Sequence, residues 1–407
     1  MDAALGPPEA MAAHHDELTP MMTQYVELCE TYDDALVLFQ MGDFYEAFCE
    51  AAETISRELE ITLTQREDST GTYPMAGVPI ENAASSVETL LDAGYRVAIA
   101  EQIEDADEAT GIVERAVTRV VTPGTVVEDE LLAPGTTNYV ACLAGNESTE
   151  TETYAVAFVD VSTGEFRVTS ADSRTPIQDE LDRFGPAEVV LAPELSDEFS
   201  PDCMVTPHDE AAFEFDAARE RVASYASNPK AVFENDAEIR VAGALLAYAE
   251  HTQADAEEVE HITRLTRYDP RERLRLDGTA LGSLDVFENR ADDDHTLVSV
   301  LDNTSCALGR RKLVHWLRRP LCDREDIDAR LDAVEELTHL SLVREDLREH
   351  LTDVYDIERL IARVSRGRAN ARDLRALKAT LDTVPELREV LSDVESDRLR
   401  ECRDGLD

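Results

Sequence analysis

Lysine is almost missing from this 407-residue chain: Lys230, Lys312 and Lys378 are three of its 38 basic residues, and the other 35 are arginine. Against them stand 87 Asp and Glu, a formal charge of −49. In dilute buffer an acidic excess of that size repels itself out of the compact state. At about 1 M salt the screening length falls to roughly 3 Å and the repulsion fades. The composition therefore predicts an intracellular, cytoplasmic protein of a salt-accumulating halophile. High net charge also accompanies disorder. Here, however, 43% of residues are apolar and recur periodically along the chain, which argues for packed cores.

Other absences narrow the class. No run of about 18 apolar residues could span a bilayer. Met1 to Leu18 carries neither Lys nor Arg and no long apolar stretch, so it reads as no signal or transit peptide. The seven cysteines never form CxxC and mostly sit in apolar contexts, which predicts reduced, buried thiols without zinc or disulfides. Neither GxxxxGK[ST] nor GxGxxG occurs, so this stretch should hydrolyse no nucleotide by itself. HExxH, GxSxG and the kinase triad are missing too. No catalytic residue, metal ligand or resident cofactor is predicted.

What is present suggests about two to four domains. Residues 1–17, with Pro7-Pro8 and His14-His15, read as a disordered tip. From Thr19 helix and strand alternate. Met21 to Tyr32 is an amphipathic helix opened by Pro20, and Ala35 to Gln40 is a strand. Gly42-Asp43 then turns into a helix expected to run to about Glu60. Strands at 61–64, 73–75, 95–102 and 116–122, with a helix at 82–93, complete a mixed α/β unit ending near Pro134-Gly135. A second α/β unit starts with strands at 138–143, 154–161 and 165–170, then a helix at 176–184 and the strand 188–191. Acidic helices follow from Asp236 to Glu258. After a basic stretch, Arg264 to Arg275, the pattern becomes helical, with Ile327, Leu331, Val334 and Leu337 as one apolar stripe. Asp323, Asp356 and Asn370 are placed as N-caps, and Gly367 and Pro385 as punctuation. No return helices close this bundle before Asp407, so the helical domain is expected to be truncated.

The densest segment is Met41-Gly42-Asp43-Phe44-Tyr45-Glu46. Asp43 with Glu46 fits a capping box, with Phe44 and Phe48 on one buried face. The other reading is an exposed aromatic followed two residues later by a carboxylate. Such a ring can stack on a nucleobase, a contact worth about 1–3 kcal/mol. The carboxylate beside it can accept a hydrogen bond from a base edge, or donate one when protonated.

Six stretches in order, "FQMGDFYEAF", "PMAGVP", "VAIAEQIEDA", "VERAVTRVVTPGT", "SVLDNTSCALGRRKLVHWLRRPL" and "RLDAVEEL", resemble the MutS family of DNA mismatch-repair proteins. The resemblance runs from about Thr19 to the last residue. It implies an α/β mismatch-binding domain at 18–133, an RNase H-like connector at 138–258, and an incomplete all-α core or lever domain at 264–407. The family's clamp and ATPase domains would lie beyond, and ATP and Mg would enter through that ATPase domain alone. In the family the Phe of a Phe-x-Glu motif stacks on the mispaired base from the minor groove, and the Glu hydrogen-bonds it. The matching positions are Phe44 and Glu46, with Gly42, Asp43, Met75, Gly77, Pro123 and Gly124 as motif support. The implied partners are double-stranded DNA with mismatches or small loops, a second copy in a homodimer, and a MutL-like factor on the connector, with no membrane.

The chain departs from the family pattern at Gln65, at Ile80-Glu81 and at Ala116, where polar or cationic residues are usual. Arg66, Arg115 and Arg119 remain as candidate contacts to the DNA backbone, or else as arginines pairing nearby carboxylates. Arg264, Arg267, Arg271, Arg273 and Arg275, with Gly309 to Lys312, read first as solvated faces or interdomain ion pairs and second as DNA-facing. Trp316 reads as core. Two alternatives remain. One is a truncated paralogue that makes only protein contacts. The other is an RNase H-like nuclease using Asp160 with Glu165 or Asp172, since two-metal cleavage needs converging carboxylates.

Overall fold

The computed structural model describes residues 4–67, 69–104, 112–128, 130–147, 152–195, 199–226, 228–253, 258–287 and 295–406. The end of "VAIAEQIEDA" (105–106) and the end of the expected acidic helices (254–257) lie outside them. Two compact units emerge: Met1–Leu132 with Asp202–Thr206 and Leu246–Val259, and the remainder.

The first unit contains α1 (Glu9–Ala12), α2 (Pro20–Thr31), β1 (Leu36–Met41), β2 (Phe44–Phe48), α3 (Cys49–Glu58), β3 (Thr64–Glu67), β4 (Thr72–Pro79), α4 (Ala83–Asp92), β5 (Val97–Gln102) and β6 (Arg115–Val121). Its sheet runs β3-β4-β2-β1-β5-β6. Only β1 and β5 pair in parallel, so the sheet is mixed. Alternation along each strand builds two cores. Leu36, Leu38, Tyr45, Ala47, Val97 and Ile99 join Ile55 and Leu90 on one face. Val37, Phe39, Phe48, Ala98 and Ala100 join Met22, Tyr25 and Val26 of α2 on the other.

Two expectations are corrected here. Residues 4–17 form a short helix and a 3-10 turn instead of a disordered tip, because Met11 is fully buried in the α2 core and Ala4 in the other. The helix expected from Asp43 is a strand up to Phe48, and helix begins only at Cys49. Met41 faces Phe44 across a two-residue turn at Gly42 and Asp43, so the segment is a β-hairpin. Asp43 caps nothing. Phe44 and Phe48, four apart, share a face in a helix and in a strand alike, so their spacing could not separate the two.

Further along come β7 (Val140–Glu147), β8 (Glu152–Asp160), β9 (Glu165–Ala171), α5 (Arg174–Phe184), β10 (Glu188–Leu191), β11 (Met204–Thr206), α6 (Phe215–Tyr225), α7 (Pro229–Val232), α8 (Asp236–Thr252) and β12 (Leu265–Arg267). The body of the second sheet runs β10-β7-β8-β9-β12, with β7-β8-β9 antiparallel and the outer pairs parallel.

The last stretch is built from α9 (Gly278–Ser283), α10 (Leu297–Leu301), α11 (Ala307–Arg318), α12 (Arg324–His339), α13 (Ser341–Thr352), α14 (Ile357–Ser365), α15 (Ala371–Val390) and α16 (Asp397–Asp404). Asp323, Asp356 and Asn370 each accept a first-turn N–H, as predicted. Pro385 does not punctuate; it sits inside α15. The apolar stripe of α12 is split. Leu337 packs beside Ala333 against Leu391, Val394 and Leu399, while Ile327, Leu331 and Val334 remain exposed.

Candidate nucleic-acid interface

The β1-β2 hairpin decides what Phe44 and Glu46 can do. A two-residue turn needs left-handed backbone, and Gly42 supplies it at φ +60°. The register then sets Phe44 opposite Pro79, Glu46 opposite Gly77 and Phe48 opposite Met75. The three β2 residues share one face with graded exposure. Phe48 is fully buried, Glu46 partly covered, and Phe44 45% exposed at the strand end. The Phe44 ring lies beside Gly77, where an added Cβ would stand 3.6 Å from its Cδ1. Ile80 adds a second exposed apolar residue next to it, anchored by its N–H donating to the Asp43 carbonyl at 3.0 Å.

Arg66 on β3 reaches across the same face, its Nη1 donating to Glu46 Oε2 at 2.9 Å. Burial still pushes the Glu46 carboxyl above its ordinary value, with Arg66 first and Arg115 next pulling it back. The hairpin thus presents a ring and a carboxylate whose proton is held more tightly than usual. Such a carboxyl can accept or donate toward a base edge.

The three arginine candidates fare differently. Arg66 is the Glu46 partner. Arg115 is buried, donating from Nε to the Gln40 carbonyl at 2.6 Å and from Nη1 to the Val113 carbonyl at 2.7 Å. Its guanidinium lies 4.8 Å from the Phe39 ring centre. Those contacts withdraw it as a backbone contact: it ties the β6 end to β1. Arg119 pairs with Glu128 at 3.2 Å. Pro123 and Gly124 form the turn after β6, closed by the Thr122 and Thr125 hydroxyls at 2.8 Å. Sequence reasoning missed the brace beneath the hairpin, where Tyr45 Oη donates to Glu101 at 3.1 Å and Thr118 donates to the same carboxylate at 2.6 Å. These residues lie 56 and 17 positions from Glu101, and no local spacing signals them.

Elsewhere the ion-pair reading of the basic stretches prevails. Arg267 pairs with Glu234 and Glu238, Arg271 with Asp269, Arg275 with Asp179, and Arg310 with Asp302. Arg311 grips both carboxylate oxygens of Asp356 at 2.6 Å. Trp316 is not core: it is 38% exposed, with the Arg330 guanidinium 3.8 Å from its ring centre. Of the carboxylates in the nuclease reading, Asp160 and Glu165 stand opposite each other across the β8-β9 pair, but each is engaged by other groups. Asp160 is fully buried and accepts from the Asn138 N–H, the Ser162 N–H and the Ser162 hydroxyl. Burial raises its carboxyl above the ordinary value. Glu165 is engaged by Arg167 and by the Tyr139 hydroxyl. Among the described residues no group of three or more His, Cys, Asp or Glu is placed to hold a metal ion. None of the seven cysteines forms a disulfide, with Cys29, Cys49 and Cys142 buried but Cys322 and Cys402 exposed.

Comparison with known proteins adds independent findings. Family models match in order: MutS domain I over residues 19–130, MutS domain II over 138–263 and MutS domain III over 279–405. The DNA mismatch repair protein MutS of Natronomonas pharaonis is 58% identical across 100% of this chain and 48% of its own length. DNA mismatch repair protein MutS 2 of Halobacterium salinarum is 57% identical over 97% of this chain and 46% of its own. MutS of Thermus aquaticus is 43% identical over 92% and 44%. The chain spans about half the length of the curated relatives it matches.

Proposed function

Because this chain belongs to the MutS family, carrying its domains I, II and III in order, we propose that it acts in DNA mismatch repair by recognising mispaired duplex DNA through its first domain. The observation that carries this reading is the half-exposed Phe44 at the hairpin end, with Glu46 two residues on along the same face. In this reading Phe44 wedges beside the mispaired base from the minor groove and kinks the duplex. Glu46 hydrogen-bonds that base, and Arg66 orients Glu46. A mispaired step is already poorly stacked, so unstacking and bending it cost less than at a matched step. Discrimination then comes from deformability, without sequence readout. High salt favours the same design, since affinity from phosphate contacts falls steeply with ionic strength while a stacked ring does not depend on counterion release.

Residues 18–133 are then the mismatch-binding domain, 138–258 the connector and 264–407 part of the core or lever domain. The working assembly is a homodimer in the cytoplasm, and a MutL-like factor binds the connector. ATP and Mg act through the family's ATPase domain, outside the stretch matched here, and this stretch itself is no enzyme. Among the described residues no helix is long and apolar enough to cross a membrane.

The test is fluorescence anisotropy in molar KCl with a G·T-mismatched duplex and its matched twin. Tighter binding to the mismatch supports the reading. Equal or no binding to both duplexes supports instead a stretch whose mismatch recognition depends on the rest of the family's domains, or a chain kept for protein contacts.

A further inference from the structure

We propose that the cavity between the start of β9 and α11, within the second unit, binds a phosphate-bearing small anion. The cavity measures about 350 Å³. Seven of its 21 lining residues are Arg or Lys and two are carboxylates. In a chain carrying 87 acids against 38 bases, that is a local reversal of sign. Low-dielectric walls focus such a field on whatever enters.

The wall contains donors without acceptors. Arg183 is 1% exposed, and its Nη1 donates to Glu180 at 2.5 Å, but Nε and Nη2 have no hydrogen-bond partner. Those two nitrogens form the side-on edge of the guanidinium, the fork that matches two oxygens of a phosphate or carboxylate. Arg319, 7% exposed, stacks on Tyr268 and leaves its Nε without an acceptor. A buried N–H with no partner is costly, so both arginines need an acceptor; their unpaired nitrogens lie just behind the cavity surface and meet a bound anion when the side chain turns toward it. The two carboxylates do not fill that need, since Glu165 is engaged by Arg167 and Glu358 by Arg311.

The fold, not the local sequence, gathers these groups. Gly164 brings the β8-β9 turn against the chain at His261, where an ideal Cβ would stand 2.4 Å from the His261 carbonyl oxygen. That approach joins the basic stretch beginning at Arg264 to the run ending at Lys312 around one cavity. Two imidazoles in the wall report the field. Burial first, then neighbouring cations (Arg366 at one, Arg167 at the other), push His261 and His315 down to about 4. Both are neutral at physiological pH, so the positive charge of the site is carried by arginine and lysine.

The test is a ³¹P NMR titration of the full 407-residue chain in molar KCl, with inorganic phosphate in one arm and AMP in the other. Saturable binding of either probe at millimolar concentration is expected. Phosphate binding as well as AMP identifies a free-phosphate site, and AMP binding much more tightly identifies a nucleotide. The variant Arg264→Glu with Lys312→Glu changes two exposed rim positions, so it should fold. It should raise the dissociation constant by roughly tenfold or more with circular dichroism unchanged. The proposal fails if neither probe saturates, or if the folded double variant binds as tightly as the parent.

Discussion

Replacing Phe44 by alanine separates a recognition role from a packing role, and the structure fixes the scale of each. Full burial of a phenylalanine side chain is worth about 1.5–3 kcal/mol. Phe44 is 45% exposed, so its truncation should cost the fold only about 1 kcal/mol. Gly77 presents no side chain that would lose its packing partner. If the ring stacks on a mispaired base, truncation removes about 1–3 kcal/mol of binding, a factor of about 5 to 150 in Kd. The matched duplex never receives the ring, so its affinity should hardly move. Fluorescence anisotropy with both duplexes reads the two numbers side by side, and a thermal melt of the variant checks that the hairpin survives. Retention of the mismatch preference by Phe44→Ala would refute the wedge. So would an equal loss on both duplexes, which would mark Phe44 as a general surface contact.

Four further outcomes follow from the same geometry. Glu46 has a raised carboxyl in the folded chain, so the fold binds that proton more tightly than the unfolded chain does. Stability linked to it is present at low pH and lost as pH rises through the folded value. Arg66→Gln removes the cation that lowers this value, and its destabilisation in urea should be larger near pH 7 than near pH 4; an equal effect at both would rule out the linkage. Gly42→Ala meets no neighbour but places a Cβ on left-handed backbone, so denaturation should show a loss of about 1–2 kcal/mol. Asp160→Ala strands the buried N–H and hydroxyl of Ser162 and removes the acceptor of the half-buried Asn138 N–H, and should cost roughly 3 kcal/mol; a loss well under that would mean water replaces the carboxylate. Dilution from molar KCl toward about 0.1 M lengthens screening from roughly 3 to 10 Å, and the melting midpoint should fall steeply; an unchanged midpoint would contradict the role given to the −49 charge.

Local chemistry was legible wherever a few adjacent residues decide the outcome. The caps at Asp323, Asp356 and Asn370 were readable because a cap is a contact between residues two or three apart. The strand Glu188–Leu191 was equally readable, as a short apolar run between turn signals. The hairpin was misread because Asp43 and Glu46 mimic a capping box. The choice between helix and strand there was made by pairing with β1 and β4, which lie outside any local window.

By itself, then, the sequence determined the acidic, lysine-poor composition on which the salt prediction rests, the order of the family's domains and the pair of residues, Phe44 and Glu46, on which recognition is proposed to rest. Those depend on composition and on motifs contiguous in the chain. Only the tertiary structure decided that Phe44 stands exposed, that Arg66 holds Glu46, that Arg115 is buried inside the sheet, and that two basic stretches meet around one cavity. Arginine shows why. In sequence each is the same cation, and its role is set by which carboxylate, carbonyl or empty space the folded backbone brings within about 3 Å of its guanidinium.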